Sequence, residues 1–272
     1  MRPLFRRPAA SPRRLGALLL GLFVAVTIAG PLAAAEEPLT IAAASDLQFA
    51  LSEVAAAFAE ETGLEVELVF GSSGNFARQI RQGAPFQMYL SADERYVLDL
   101  AKDGFTRDDG ALYAIGRLVI LVPHASPLQA DGLLEDLRAA LEDGRVRKFA
   151  IANPEHAPYG RRAEEALRHA GLWNGIQDKL VLGENVSQAA QFATSGSAEG
   201  GIVAYSLARS PKLAALGSFD LVPQEWHDPL RQRMALLNGA GATAERFFAF
   251  VQEPQARAIM RRYGFVLPGE ES

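Results

Sequence analysis

From Leu39 onward, short apolar runs alternate with stretches whose apolar residues recur every three or four positions, the pattern of strands interleaved with helices. "LTIAAA" (39–44) reads as a buried strand. Leu47, Leu51, Val54, Ala55 and Phe58 then share one helical face, and Gly63 supplies a stop. "LEVELVF" alternates Leu64, Val66, Leu68 and Phe70 on one side, as a half-buried strand does. Phe76 and Ile80 fall on one side of a helix following Asn75. "QMYLSADE" predicts a strand, and Ser91 with Glu94 has the spacing of a capping box for a helix over 94–102. The second half repeats the theme. "GRLVILVP", "KFAIAN", "KLVLGEN" and "GGIVAYS" read as strands, and helices are expected near 133–141, over "GRRAEEALRHAG" and from Val186. "SFDLVPQ" and "RMALL" are extended; "AERFFAFV" and "PQARAIMRRYGF" close the chain as helices.

This order is that of an α/β protein. No low-complexity linker or internal repeat divides the chain. Two lobes, if present, must therefore be joined by short extended crossings, for which "IGRLVILV" and "FDLVPQ" are the natural segments. Lobes hinged in this way leave a cleft suited to a small ligand.

The first 35 residues stand outside the pattern. "MRPLFRRPAASPRR" holds five arginines and no acid, a continuous apolar run follows, and "LAAAEE" offers a cleavage site before Glu36. That is the three-part order of a secretory signal peptide, and the apolar run is too short for a membrane span. Residues 36–272 would then carry 22 basic against 32 acidic side chains, a net charge of about −10. Such a balance disfavours nucleic acid or an anionic membrane as partner. The 272-residue chain has no cysteine, which removes thiol catalysis, thiolate metal sites and disulfide support. In a bacterium the expected compartment is the periplasm or the cell exterior.

One junction recurs: a strand ends, small or polar residues follow, and a helix begins. It occurs at Ala43-Ala44-Ser45-Asp46, Gly71-Ser72-Ser73-Gly74-Asn75, Ala157-Pro158-Tyr159-Gly160 and Glu184-Asn185-Val186-Ser187. A helix N-terminus leaves N–H groups unpaired and presents its positive dipole end, so each junction is a potential anion site. Any one of them could be only a helix cap, but four favour a cradle. Arg78, Arg161 and Arg162 lie near these junctions and could reach an anion or simply face solvent. A nucleophile is disfavoured, because "GSSG" lacks G-x-S-x-G spacing and His124, His156, His169 and His227 sit in unrelated contexts. His156 in "NPEHAP" reads as a loop or supporting residue. No His/Asp/Glu cluster has metal-ligand spacing, and no phosphate-loop or dinucleotide fingerprint is present.

"AAASDLQFALSEVAAAFAEETG", "FGSSGNFARQIRQGAPFQMYLSADERYVLDL", "ANPEHAPYGRRAEEALRHAGLW", "GGIVAYS" and "PQARAIMRRYGF" together resemble the periplasmic molybdate-binding proteins of ABC transporters, in order and over nearly all of the chain beyond the leader. The resemblance implies a type II periplasmic-binding-protein fold, in which two mostly parallel sheets flanked by helices form two lobes with the ligand cleft at the hinge. It places the leader at 1–35, one lobe at 36–118 plus 222–272, and the other at 119–221. It implies a monomer that binds molybdate or tungstate without any cofactor or enzymatic activity and delivers it to a membrane permease. By the same resemblance, Ser45 and Ser73 give hydroxyl ligands, with Ser72 beside them, and Tyr159 and Val186 give backbone N–H groups. The only metal involved would be the atom inside the oxyanion held by Ser45, Ser73, Tyr159 and Val186. Members of the family that carry a "GIVY" segment add a tyrosine hydroxyl. Here the aligned residue is Ala204 and the tyrosine is displaced to Tyr205, so either Tyr205 reaches in or the Tyr159 hydroxyl takes the role. The rival expectations are sulfate, phosphate or a small organic anion on the same fold, a secreted hydrolase using Ser73, and a binding lobe serving signalling or adhesion.

Overall fold

The computed structural model describes residues 39–270; the expected leader at 1–35 lies outside them. The chain first lays down β1 (Thr40–Ala44), α1 (Gln48–Thr62), β2 (Glu67–Gly71), α2 (Ser73–Arg81), β3 (Met88–Ser91), α3 (Glu94–Lys102) and β4 (Ala111–Gly116). The central apolar runs become strands because their side chains are covered on both faces, while β2 at the sheet edge stays half-buried. Ile41, Ala42 and Ala43 of β1 and Met88, Tyr89 and Leu90 of β3 are fully buried. The helices bury one stripe each: Leu51, Val54 and Phe58 on α1, and Phe76, Ala77 and Ile80 on α2. Gly63 ends α1 in the left-handed conformation at φ 70°, as its position predicts.

After Arg117 the chain crosses to a second sheet and builds β5 (Leu118–Pro123), α4 (Glu135–Asp143), β6 (Phe149–Ala152), α5 (Pro158–His169), α6 (Trp173–Ile176), β7 (Leu180–Gly183), α7 (Val186–Thr194), β8 (Gly201–Ala204), α8 (Tyr205–Ala208), α9 (Pro211–Ala214) and β9 (Gly217–Leu221). It then returns through β10 (Leu230–Leu236) and finishes with α10 (Ala242–Val251) and α11 (Pro254–Arg262) against α1.

The two sheets have the same plan, β2-β1-β3-β10-β4 and β7-β6-β8-β5-β9. In each, four strands run one way and one runs against them. The reversed strands are β10 and β5, the ones that follow a crossing between sheets. This is the two-lobed, mostly parallel arrangement expected. It brings the carboxyl ends of β1, β2, β6 and β7, where the four strand-to-helix junctions begin, to one region between the sheets. No described helix is long and apolar enough to cross a membrane.

Local details differ from the sequence pattern. α2 starts at Ser73, three residues earlier than the apolar spacing indicates, because Phe76 N–H already bonds the Ser72 carbonyl at 3.1 Å. Ser91 does not form the expected capping box. Asp93 is the N-cap of α3 and accepts from Arg95 N–H at 3.0 Å, while the Ser91 hydroxyl closes a tight turn onto the Asp93 backbone. An acid at that position caps more strongly than a serine two residues upstream can reach.

Candidate oxyanion site

The end of β1 turns through one 3-10 turn, Ser45–Leu47, directly into α1. The ends of β2, β6 and β7 turn into α2, α5 and α7. Helices α2, α5 and α7 each begin with N–H groups that have no partner inside the helix. A small cavity lies where these starts meet. Ala44, Ser45 and Asp46, Gly71, Ser72 and Ser73, Ala157, Pro158 and Tyr159, with Ala92 and Val186, line it.

The hydroxyls are oriented by their neighbours. Ser73 Oγ accepts from Ala92 N–H at 3.0 Å, and Ser45 Oγ accepts from Ser187 N–H at 3.2 Å. A hydroxyl oxygen already accepting keeps its own hydrogen to donate elsewhere. Ser72 is engaged differently: its Oγ lies 2.9 Å from His156 Nδ1. That contact crosses between the two sheets, as do Gly74 N–H to the His156 carbonyl at 2.9 Å, Ser187 Oγ to the Ser45 carbonyl at 2.8 Å, and Asn75 to Glu184. A side chain at position 74 would meet the His156 carbonyl at 2.7 Å, so glycine is what lets α2 approach the second sheet so closely.

No basic residue lines the cavity. Arg78 bonds Asn75, Arg161 lies 3.6 Å from Asp93 and 3.3 Å from the Tyr96 hydroxyl, and Arg162 pairs with Glu165 and, at 3.4 Å, Asp228. The three arginines that could have met an anion are turned to other partners. An anion here would be held by neutral hydroxyl and amide donors, which form stronger bonds to a charge than to a neutral acceptor.

Behind Ser45 lies a polar knot that the sequence alone did not reveal. Asp46 is 1% exposed. Its Oδ2 accepts from Tyr159 Oη at 3.1 Å and from Gln232 Nε2 at 2.7 Å, and Gln232 Oε1 accepts from Tyr113 Oη at 2.8 Å. Gln232 reaches this point because β10 shifts register between Gln232 and Arg233, a bulge that re-aims the side chain. Gly116 completes the fit, since a Cβ there would lie 2.2 Å from Tyr159 Oη. Burial pushes the Asp46 carboxyl up to about 6 against the opposing effect of its hydrogen bonds. Burial, and then the Asp46 charge, hold the Tyr159 and Tyr113 hydroxyls well above their ordinary range.

The structure thus brings together Ser45, Ser72, Ser73, Tyr159 and Val186. It does not bring Ala204 or Tyr205 to the cavity. Ala204 is buried in the core of the second sheet, and the Tyr205 ring packs edge-on against Phe219 with its hydroxyl accepting from Arg209 at 3.1 Å. The Tyr159 hydroxyl is committed to Asp46 and Gln232. A larger cleft of about 540 Å³ lies alongside, lined among others by Gln48, Phe49, Gln188 and Lys212. By the same measure the small cavity is about 10 Å³, the room of one water-sized centre. The small cavity is the better candidate site, because the strand-to-helix starts converge there. No cluster of His, Asp and Glu among the described residues could hold a metal ion.

Residues 39–266 match the family model of the bacterial extracellular solute-binding proteins. The molybdate-binding protein ModA of Rhodobacter capsulatus is 36% identical, over 93% of this chain and 96% of its own length. That of Escherichia coli strain K12 is 32% identical over 92% and 97%. Among solved structures, the periplasmic molybdate-binding protein of Azotobacter vinelandii superposes with a TM-score of 0.76 at 32% identity, covering 85% of this chain and 99% of that one. With sequence and fold alike over nearly their full lengths, this chain belongs to the bacterial extracellular solute-binding proteins, as a member of the ModA family.

Proposed function

We propose that this protein captures molybdate or tungstate outside the cytoplasm and delivers it to an ABC permease. The observation that carries the reading is the cavity where helix starts from both sheets meet the hydroxyls of Ser45 and Ser73, with no cation among its lining residues. The Ser45 and Ser73 hydroxyls and the N–H groups of Ser73, Tyr159 and Val186 replace the hydration shell of a tetrahedral oxyanion, with Ser72 as a neighbour held by His156. A larger oxyanion touches all of these donors at once, whereas sulfate leaves some unpaired, and that difference supplies selectivity. The N–H contribution of Tyr159 makes a tyrosine hydroxyl from position 205 unnecessary, and Ala204 serves the core. The protein works as a monomeric, non-enzymatic carrier in the periplasm, exported by the leader at 1–35. Its lobes are 36–118 with 222–272, and 119–221, closing over the ion to form the surface the permease reads.

Calorimetric titration with molybdate, tungstate and sulfate tests this. Molybdate and tungstate should bind far more tightly than sulfate. Ser45→Ala and Ser73→Ala should each weaken binding by about 10- to 100-fold, the worth of a hydrogen bond to a charge. Equal affinity for sulfate, or unchanged affinity in both variants, would refute the assignment.

A further inference from the structure

Asp46 is a buried acid in a cavity assigned to an anion, and no salt bridge to it is found among the described residues. One of its oxygens, Oδ2, is fully engaged by Tyr159 and Gln232; the other, Oδ1, is buried without a hydrogen-bond partner. A buried acceptor without a donor is costly, and a second negative charge beside it is costlier. The neighbouring elements offer little relief. Tyr159 from α5 already bonds Oδ2, and Tyr113 from β4 donates to Gln232 and, at 3.3 Å, to the Ser91 carbonyl. Ser206 from α8 donates to the Asp46 backbone carbonyl at 2.8 Å, and Ser187 from α7 bonds Ser45. The other titratable group at this junction is His156, which is turned to Ser72 and, at 3.6 Å, to Glu184.

Resting on the oxyanion reading above, we propose that Asp46 Oδ1 is a further ligand contact made through a single shared proton, so that this protein takes up one proton with each oxyanion it binds. The proton is transferred from the solvent's acid, hydronium or protonated buffer, whose bond to hydrogen breaks as an O–H bond forms at Oδ1; that O–H donates to a ligand oxygen, and no bond within the oxyanion is made or broken. Burial already keeps this carboxyl neutral to a higher pH than an exposed aspartate, and an incoming dianion favours the neutral form further. A neutral carboxylic acid then acts as one more donor, a role that apolar surroundings allow an acid to hold at neutral pH. Position 46 is thereby a specificity residue. It favours oxyanions whose oxygens are basic enough to share a proton, and sulfate, the weaker base, gains less from it than molybdate.

The sign follows from linkage. Below pH about 6 the free carboxyl already holds its proton, and binding should be independent of pH. Above that value the proton must be taken from solvent, and affinity should fall toward tenfold per pH unit. The test is calorimetry of the intact protein with molybdate from pH 6 to 8.5, in pairs of buffers with different ionisation enthalpies. The expected result is an uptake approaching one proton per molybdate above pH 7. Uptake should persist in His156→Gln and vanish in Asp46→Asn, whose affinity should be flat with pH. Molybdate binding by the unaltered protein with no proton uptake and constant affinity across this range would overturn the proposal and leave the oxyanion reading intact. Uptake retained in Asp46→Asn but lost in His156→Gln would overturn it too. Failure of molybdate, tungstate and sulfate to bind at any pH would overturn both.

Discussion

Asp46 and Asp93 stand just beyond β1 and β3, neighbouring strands of the same sheet, and are 1% and 6% exposed. Their surroundings push them in opposite directions. Among the described residues no arginine or lysine pairs with Asp46, and burial raises its carboxyl to about 6. Asp93 is also penalised by burial, but hydrogen bonds from the Arg95 side chain and backbone, with the charges of Arg95 and Arg162, outweigh it and hold the carboxyl below its ordinary range. The cations were not scarce; they were placed. Arg161 and Arg162 of α5 lean across to Asp93 at 3.6 and 3.7 Å, tying the two sheets together on one side of the cavity. The floor at Asp46 is left to neutral donors. Charge pairing serves to hold the lobes in register, while in the proposed site a ligand's charge would be met by groups that need no desolvated cation.

Removing the central cation is the strongest way to break this contrast. Arg162 is buried and faces Asp93, Glu165 and Asp228. Arg162→Ala should cost about 3 kcal/mol in urea unfolding, because it empties a buried position and removes one of the three arginines around Asp93 together with the partner of Glu165. It should move the titration of Asp93 upward and leave that of Asp46 where it is. Equal movement of both, followed by carboxyl NMR shifts, would show that the two acids share one field.

Exchanging each acid for its amide sharpens the contrast through pH. The folded-state value of Asp46 lies above its unfolded value of 3.8, so its ionisation costs stability that is absent at pH 4 and fully felt above pH 6. Asp46→Asn carries no such cost. Its stability relative to the parent should therefore improve by about 3 kcal/mol between pH 4 and pH 8, whatever the fixed effect of the amide. Asp93→Asn should behave in the opposite sense. It should cost about 1–2 kcal/mol at neutral pH, since asparagine still caps α3 but no longer draws Arg95 and Arg162. That deficit should shrink as pH falls through the carboxylate range, where the parent loses its own ion pairs. Parallel pH profiles of the two variants would dissolve the distinction.

These residues also mark how far the sequence could be read. The apolar runs predicted nine of the ten described strands and missed β4, whose run "ALYAIG" merges into the crossing before "RLVILV" and gives no separate signal. The junctions that carry Ser45, Ser73, Tyr159 and Val186 were legible because each follows a strand and opens a helix, a local signature; the choice of these residues within the junctions came from the family resemblance. Asp46 is one residue from Ser45 and looked like an ordinary polar helix start. Its character depends on Tyr159, 113 residues away, and Gln232, 186 residues away, and on a bulge in β10 that no local pattern announces. Tyr205 failed for the converse reason. Its sequence neighbourhood suggested a hydroxyl near the site, but packing against Phe219 and the close approach of Gly264, where a Cβ would lie 2.5 Å from the ring, fix it elsewhere.

The smallest expected effect falls on Tyr159, which touches both halves of the comparison. It lines the cavity, where the proposed site uses its backbone N–H, while its hydroxyl serves Asp46. Tyr159→Phe removes the hydroxyl alone. At pH 8, where Asp46 is ionised, the loss of a donor to a charged acceptor should cost about 1–2 kcal/mol of stability, and less at pH 5, where the carboxyl is neutral. Gln232 remains as the second donor to Oδ2, which keeps the cost at this level. Without the Tyr159 bond the Asp46 carboxyl should titrate higher still, because that bond is one of the influences that lower it. Molybdate affinity measured at pH 6, where Asp46 holds its proton in about half the molecules, should change by less than about threefold, the consequence of a hydroxyl that supports the acid and never meets the ion. A loss of tenfold or more would place the hydroxyl itself on the ligand, and the division between charge-paired rim and neutral-donor floor would have to be redrawn around it.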